Sequence, residues 1–192
     1  GMHIMNGDIV SAKPSILIKL KDENSFLALD DTMDFEIYLK EPVQTTYARI
    51  YFGSQMTFEK AALPNNSCKI NYTPYYELDG KYLLRVKARD MSNNVPGTNQ
   101  LGDVDYEIKF EVINKTTITE VMNYPNPFST STRFVFTLTG YKVPTDFKIQ
   151  IMTITGKVIR EIDRDEFGDL HIGRNITSYA WDGRDEFGDQ LA

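Results

Sequence analysis

Apolar and polar residues alternate along most of this chain. Ile16, Ile18 and Leu20 are separated by Leu17 and Lys19, and Phe35, Ile37 and Leu39 by Glu36 and Tyr38. The same spacing recurs in Cys68, Ile70 and Tyr72, in Tyr82, Leu84, Val86 and Ala88, and in Tyr106, Ile108, Phe110 and Val112. A period of two sends successive side chains to opposite faces, so each run predicts a half-buried β-strand. Ile50 and Phe52, flanking Tyr51, make a shorter run. Turn-forming groups lie between the runs: Asp30-Asp31, Pro64-Asn65-Asn66, Asp79-Gly80, Asn93-Asn94 and Pro96-Gly97. Helical spacing is weak throughout, and only residues 59–63 are expected to form a helical turn.

Alternation stops after Ile113, and residues 114–117 read as a short linker. A second set of strands is expected at 119–122, 131–138, 147–153, 157–162 and 176–181, with a hairpin turn at Thr155-Gly156 between the third and fourth. Short strands divided by turn signals form the pattern of Greek-key sandwiches. The expectation is therefore an all-β chain of two tandem immunoglobulin-like β-sandwich domains, residues 1–113 and 114–192. The immunoglobulin disulfide and its tryptophan are missing from the first, so only the architecture is inferred there.

Composition narrows the function classes. Hydrophobic residues make up 41% of the 192, which suffices for packed cores. The net charge is −6, and neither half is basic: residues 1–113 carry twelve basic against sixteen acidic groups, and residues 114–192 nine against eleven. Such a balance argues against a nucleic-acid partner. No apolar run approaches the roughly 20 residues of a membrane-spanning helix. No signal peptide opens the sequence, so an exported origin implies a piece of a longer chain. A single cysteine, Cys68, excludes an internal disulfide.

Four motifs in the second half carry a resemblance. Tyr124-Pro125-Asn126-Pro127-Phe128, Ile149-x-Ile151, Thr155-Gly156-Lys157-Val158-Ile159-Arg160 and Trp181-Asp182-Gly183-Arg184-Asp185-x-x-Gly188 stand in one order over residues 119–192. Together they resemble a bacterial Ig-like family that includes the Ig-like domain of the flagellar hook-capping protein. The C-terminal sorting domains of proteins exported by the type IX secretion system of Bacteroidetes belong to it too. The family pattern runs on past Ala192 with a further strand, so the resemblance implies that this sandwich lacks its last strand and exposes an edge at 147–153 or at whichever strand borders the gap. Strand addition from a neighbouring chain is one expected outcome. Gly80 to Asn94 resembles, less specifically, Ig-like repeats of bacterial surface proteins. The two-domain arrangement resembles the tail of gingipain-like cysteine peptidases.

These resemblances imply a non-catalytic module of a larger protein, secreted or held at the surface of a Gram-negative bacterium. Its expected partners are secretion machinery or surface components. Pro125 and Pro127 are expected to force an extended entry segment, with Tyr124 and Phe128 plugging the core. Gly156 would take a positive φ at the hairpin, and Asp182-Gly183 would turn the chain after Trp181.

Residue chemistry points the same way. Nucleophilic catalysis would need Cys68 or a serine beside a histidine, yet Cys68 occupies an apolar-face position and only His3 and His171 supply imidazoles. Zinc would need more Cys and His ligands. No cofactor is expected. Calcium is the one open metal candidate, at the hexapeptide Arg-Asp-Glu-Phe-Gly-Asp that occurs at 164–169 and again at 184–189, and more weakly at Asp22-Glu23-Asn24 and Asp30-Asp31. Asp31-Thr32-Met33 matches the pattern associated with Bacteroidetes O-glycosylation. Tyr75 and Tyr76, with Tyr47 and Tyr51, are the aromatic candidates for binding sugars or peptides.

Overall fold

The computed structural model describes residues 3–22, 26, 28–88 and 106–190. The chain is all-β and divides into two compact units, Gly1–Asn114 and Lys115–Ala192. Among the described residues the only helical pieces are two single 3-10 turns, Thr32–Asp34 and Arg164–Glu166.

Among its described residues the first unit holds eight strands: β1 (Ile9–Val10), β2 (Ile16–Lys21), β3 (Phe35–Lys40), β4 (Ala48–Ile50), β5 (Met56–Glu59), β6 (Ser67–Tyr72), β7 (Gly80–Ala88) and β8 (Tyr106–Val112). They form a five-stranded sheet in the order β1-β8-β7-β3-β4 and a three-stranded sheet in the order β2-β6-β5. Strand β1 runs parallel to β8, and the other pairs are antiparallel. Inward residues of both sheets share one core. Phe35, Ile37, Tyr82, Leu84 and Phe110 from the larger sheet meet Ile16, Cys68, Ile70 and Tyr72 from the smaller. Two sheets closed on one apolar layer make a β-sandwich.

The alternation places these inward residues correctly because a strand of period two has only two faces. Tyr106 departs from it. Expected inside, it is 62% exposed, since it opens β8 at the end of the ladder opposite Val86. Strands β1 and β5 go unpredicted. β5 replaces part of the helical turn expected at 59–63. Met56–Glu59 pairs with β6, and Ala62 bridges Asn65 around Leu63 and Pro64. Long-range ladder bonds overrode the weak local preference. The turn signals at 93–97 and the end of the Gly80–Asn94 likeness lie outside the described residues.

The second unit holds β9 (Ile118–Tyr124), β10 (Arg133–Leu138), β11 (Ile149–Met152), β12 (Val158–Ile162) and β13 (Gly173–Ile176). One sheet has the order β13-β10-β9, and the hairpin β11-β12 forms another. Phe136 contacts Phe147 and Phe167, and Ile162 is fully buried. The strand expected at 176–181 lies earlier, at Gly173–Ile176. Thr177 ends it because its hydroxyl donates to the Tyr179 carbonyl at 2.7 Å and accepts the Phe134 N–H at 3.0 Å. A side chain thus takes the place of the backbone ladder. Trp181 then rejoins β10's leading end through a two-way bridge with Thr132, both N–H···O distances being 2.8 Å.

Candidate interaction surface

The motif residues around Tyr124–Phe128 and Trp181–Gly183 meet at one end of β10. Residues 125–127 form a bend where the prolines implied an extended entry. Thr132 explains the bend: its hydroxyl, fully buried, donates to the Pro125 carbonyl at 2.8 Å, while Asn126 reaches back to Asn123 at 3.2 Å. Tyr124 is 67% exposed and does not plug the core, because it projects on the outer face opposite Arg133. Phe128 is half-buried and packs on Trp181 with ring centroids 5.8 Å apart. Gly183, at φ +84°, passes beside the Phe128 ring, and the Trp181 indole N–H donates to the Arg184 carbonyl at 2.7 Å. Asp182 accepts the Arg184 N–H at 3.2 Å. Gly156 turns the β11-β12 hairpin at φ +85°. Thr132 and Asn123 were missed by sequence reasoning, although the polar run 129–132 before a strand hinted at a capping role.

The two copies of the repeated hexapeptide share one closing contact, from the arginine to the glycine carbonyl, although only the first forms a 3-10 turn, at Arg164–Glu166. Arg164 donates to the Gly168 carbonyl at 3.0 Å, and Arg184 to the Gly188 carbonyl at 2.7 Å. Gly168 and Gly188 sit at φ +82° and +88°. Their phenylalanines part company. Phe167 is 1% exposed and lies 4.9 Å from Phe147, whereas Phe187 is 90% exposed. The first copy is drawn onto the core by backbone bonds from Ser178 and Tyr179, while the second follows β12, its Glu186 N–H donating to the Ile159 carbonyl at 3.2 Å. The carboxylates are engaged locally: Asp185 accepts the N–H groups of Phe187 and Asp189, and Glu166 pairs with Arg160 at 2.7 Å. Among the described residues, no group of three or more His, Cys, Asp or Glu side chains is placed to hold a metal ion.

Cys68 is fully buried on β6, and that burial pushes its thiol pKa up. His171 belongs to the second unit, where its main chain is bonded at both N–H and C=O by Asn175. The four tyrosines do not form a platform. Tyr76 is 2% exposed and stacks inside the core on Tyr82 and Phe110, and burial drives its phenol pKa far up. Tyr75 is half exposed beneath Lys13. Tyr51 is exposed beside Arg49. Tyr47 lies under the Arg85 guanidinium at 3.9 Å and donates to Glu107 at 2.6 Å. Thr32 of the glycosylation pattern sits in the 3-10 turn capped by Asp31, whose carboxylate accepts the Met33 N–H at 2.9 Å.

Charge is arranged differently on the two sheets of the first unit. Outside the larger sheet, opposite charges pair: Arg49 with Glu36 at 3.2 Å, and Arg85 with Glu107 at 2.9 Å. Outside the smaller sheet, lysines gather. Lys19 on β2 stands opposite Lys69 on β6, and Lys21 opposite Ser67. With Lys60 and Asn65 they line a groove of about 410 Å³. Among the described residues lining it, Glu59 is the one carboxylate, bonded to Lys69 at 2.9 Å.

No protein-family profile matches this sequence, and no curated protein does. Among solved structures, the chain is similar to dimeric latent PorU from Porphyromonas gingivalis, at 16% identity and a TM-score of 0.41, over 98% of this chain and 16% of that one. A likeness this slight leaves the function to be read from the residues. Among those described, no helix is long and apolar enough to cross a membrane.

Proposed function

We propose that this chain is a non-catalytic module of a larger exported protein, two immunoglobulin-like sandwiches in tandem. The second serves type IX export or surface attachment, and the first acts as a spacer or docking domain. One observation carries the reading: the motif residues from Tyr124 to Gly188 are spent on bends, turns and packing around Phe128 and Trp181 rather than on any reactive group. A motif set so used is a folding signature. The strand order of the first unit supports the immunoglobulin-like part. A parallel first strand beside β8, with β7, β3 and β4 following and β2-β6-β5 opposite, is a Greek-key order of that kind.

The test is a periplasmic reporter carrying this chain at its C-terminus. It is expected at the cell surface or in the medium of a type IX-competent host, and in the periplasm of a strain lacking the system. Retention in the periplasm of both hosts removes the export role. A second reading, an accessory binding domain of a secreted enzyme such as a gingipain-like peptidase, draws on the lysine-lined groove of the first unit.

A further inference from the structure

The lysine groove is unlike the rest of this molecule. Like charges placed directly across a ladder repel, and Lys19 against Lys69 is such a pair. The larger sheet of the same unit avoids the cost by setting acids beside bases. Among the described residues, Lys19, Lys21 and Lys60 form no ion pair, and Glu59 neutralises only Lys69. Four ammonium groups against one carboxylate leave a net charge of +3 in one groove, in a unit that is acidic as a whole. The arrangement is rigidly based. Lys19, Lys21 and Lys69 stand on paired strands whose inward neighbours, Ile70 and Cys68, are fully buried.

We propose that the outer face of β2, β6 and β5 binds an acidic polysaccharide. Its carboxylate, sulfate or phosphate groups would rest on Lys19, Lys21, Lys60 and Lys69, and its hydroxyls would meet Ser67 and Asn65. Strand geometry roots Lys19 and Lys69 about 5 Å apart across the ladder and Lys19 and Lys21 about 7 Å apart along β2. That spacing suits a ligand with anionic groups on successive units. A single-stranded nucleic acid is favoured less, since no aromatic side chain among the described residues lines the groove to stack a base. A membrane surface is favoured less because it is flat and the lysines line a concavity. The inference deepens the binding-domain reading and is independent of the export reading, which reporter location tests alone.

The experiment measures retention of the whole 192-residue chain on immobilised heparin, with neutral dextran, a single-stranded oligonucleotide and phosphatidylglycerol vesicles as comparison probes. Heparin should retain the chain at low salt and release it as salt rises. Lys19→Gln and Lys21→Gln should each weaken binding roughly fivefold and shallow the salt slope by about one. Glu59→Gln, which frees Lys69, should strengthen it. Lys157→Gln changes net charge equally but lies at the exposed hairpin of the second unit, and should leave binding unchanged. Each variant is first checked for an unaltered melting transition. The proposal is overturned by absence of heparin retention, by equal effects of Lys19→Gln and Lys157→Gln, by equal binding to neutral dextran, or by tighter binding to the oligonucleotide or the vesicles.

Discussion

The two copies of Arg-Asp-Glu-Phe-Gly-Asp offer a controlled comparison of residues. Phe167 and Phe187 stand in the same hexapeptide, each in a loop closed by an arginine donating to the glycine carbonyl, but differ in burial, 1% against 90%. Truncating a buried phenylalanine forfeits its transfer free energy and leaves a cavity, so Phe167→Ala should cost about 3–5 kcal/mol. Phe187→Ala should fall within about 0.5 kcal/mol of the parent. Equilibrium denaturation of both variants checks this, and equal losses would show that Phe187 is covered in solution. The paired glycines make a finer test. Both sit at positive φ, so alanine costs about 1–2 kcal/mol at either. At Gly168 the added methyl also overlaps the Ser178 side chain, whereas Gly188 faces open space. Gly168→Ala should therefore be the more damaging in the same melts, by about 1 kcal/mol or more.

At the scale of elements, sheet faces and edges carry the consequences. On the larger sheet, Tyr47 and Arg85 both bond Glu107. The Tyr47 hydroxyl foremost holds the Glu107 carboxyl below its ordinary pKa; burial, next in size, opposes it, and the Arg85 guanidinium adds to the lowering. A depressed folded-state pKa stabilises the fold above the unfolded value of about 4.3, and the contribution is lost as pH falls through the folded value. The parent should thus exceed Glu107→Gln in urea stability at about pH 7, and the gap should close by about pH 3. A gap that persists in acid would mean that packing, not charge, is what the substitution removes. In the second unit, β11 pairs with β12 alone, so its other edge offers unpaired N–H and C=O groups. Exposed Met152 and Ile154 adjoin it. Antiparallel self-pairing centred on Gln150 would set Lys148 of one copy against Met152 of the next, with no like charges opposed. Met152→Lys should then reduce concentration-dependent association in sedimentation runs. Association undiminished by it would exonerate β11.

For the whole molecule, two native probes report on the two units separately. Cys68 is the sole thiol and lies at the centre of the first core, and Trp181 is the sole tryptophan and lies in the second unit. The second unit is small and closes on few fully buried apolar residues, so its margin is thinner. Tryptophan fluorescence should change at lower denaturant than Cys68 becomes reactive towards a thiol reagent. Coincident transitions would mean that the two units unfold as one. Sequence alone determined the all-β class, the faces of β3, β6 and β7, the buried Cys68 and the turn at Gly156. Those follow from period-two patterning and from glycine's freedom, which are local. Tertiary structure decided the rest. It placed β1, which is too short to show a period, and β5, whose four residues are fixed by pairing with β6. It buried Tyr76 while leaving Tyr75 and Tyr124 outside, and it separated Phe167 from Phe187. It also brought Lys60 and Lys69 to the same groove as Lys19 and Lys21. Identical letters met different fates because burial and charge density depend on which strands pair across long stretches of chain, and local sequence carries no record of that pairing.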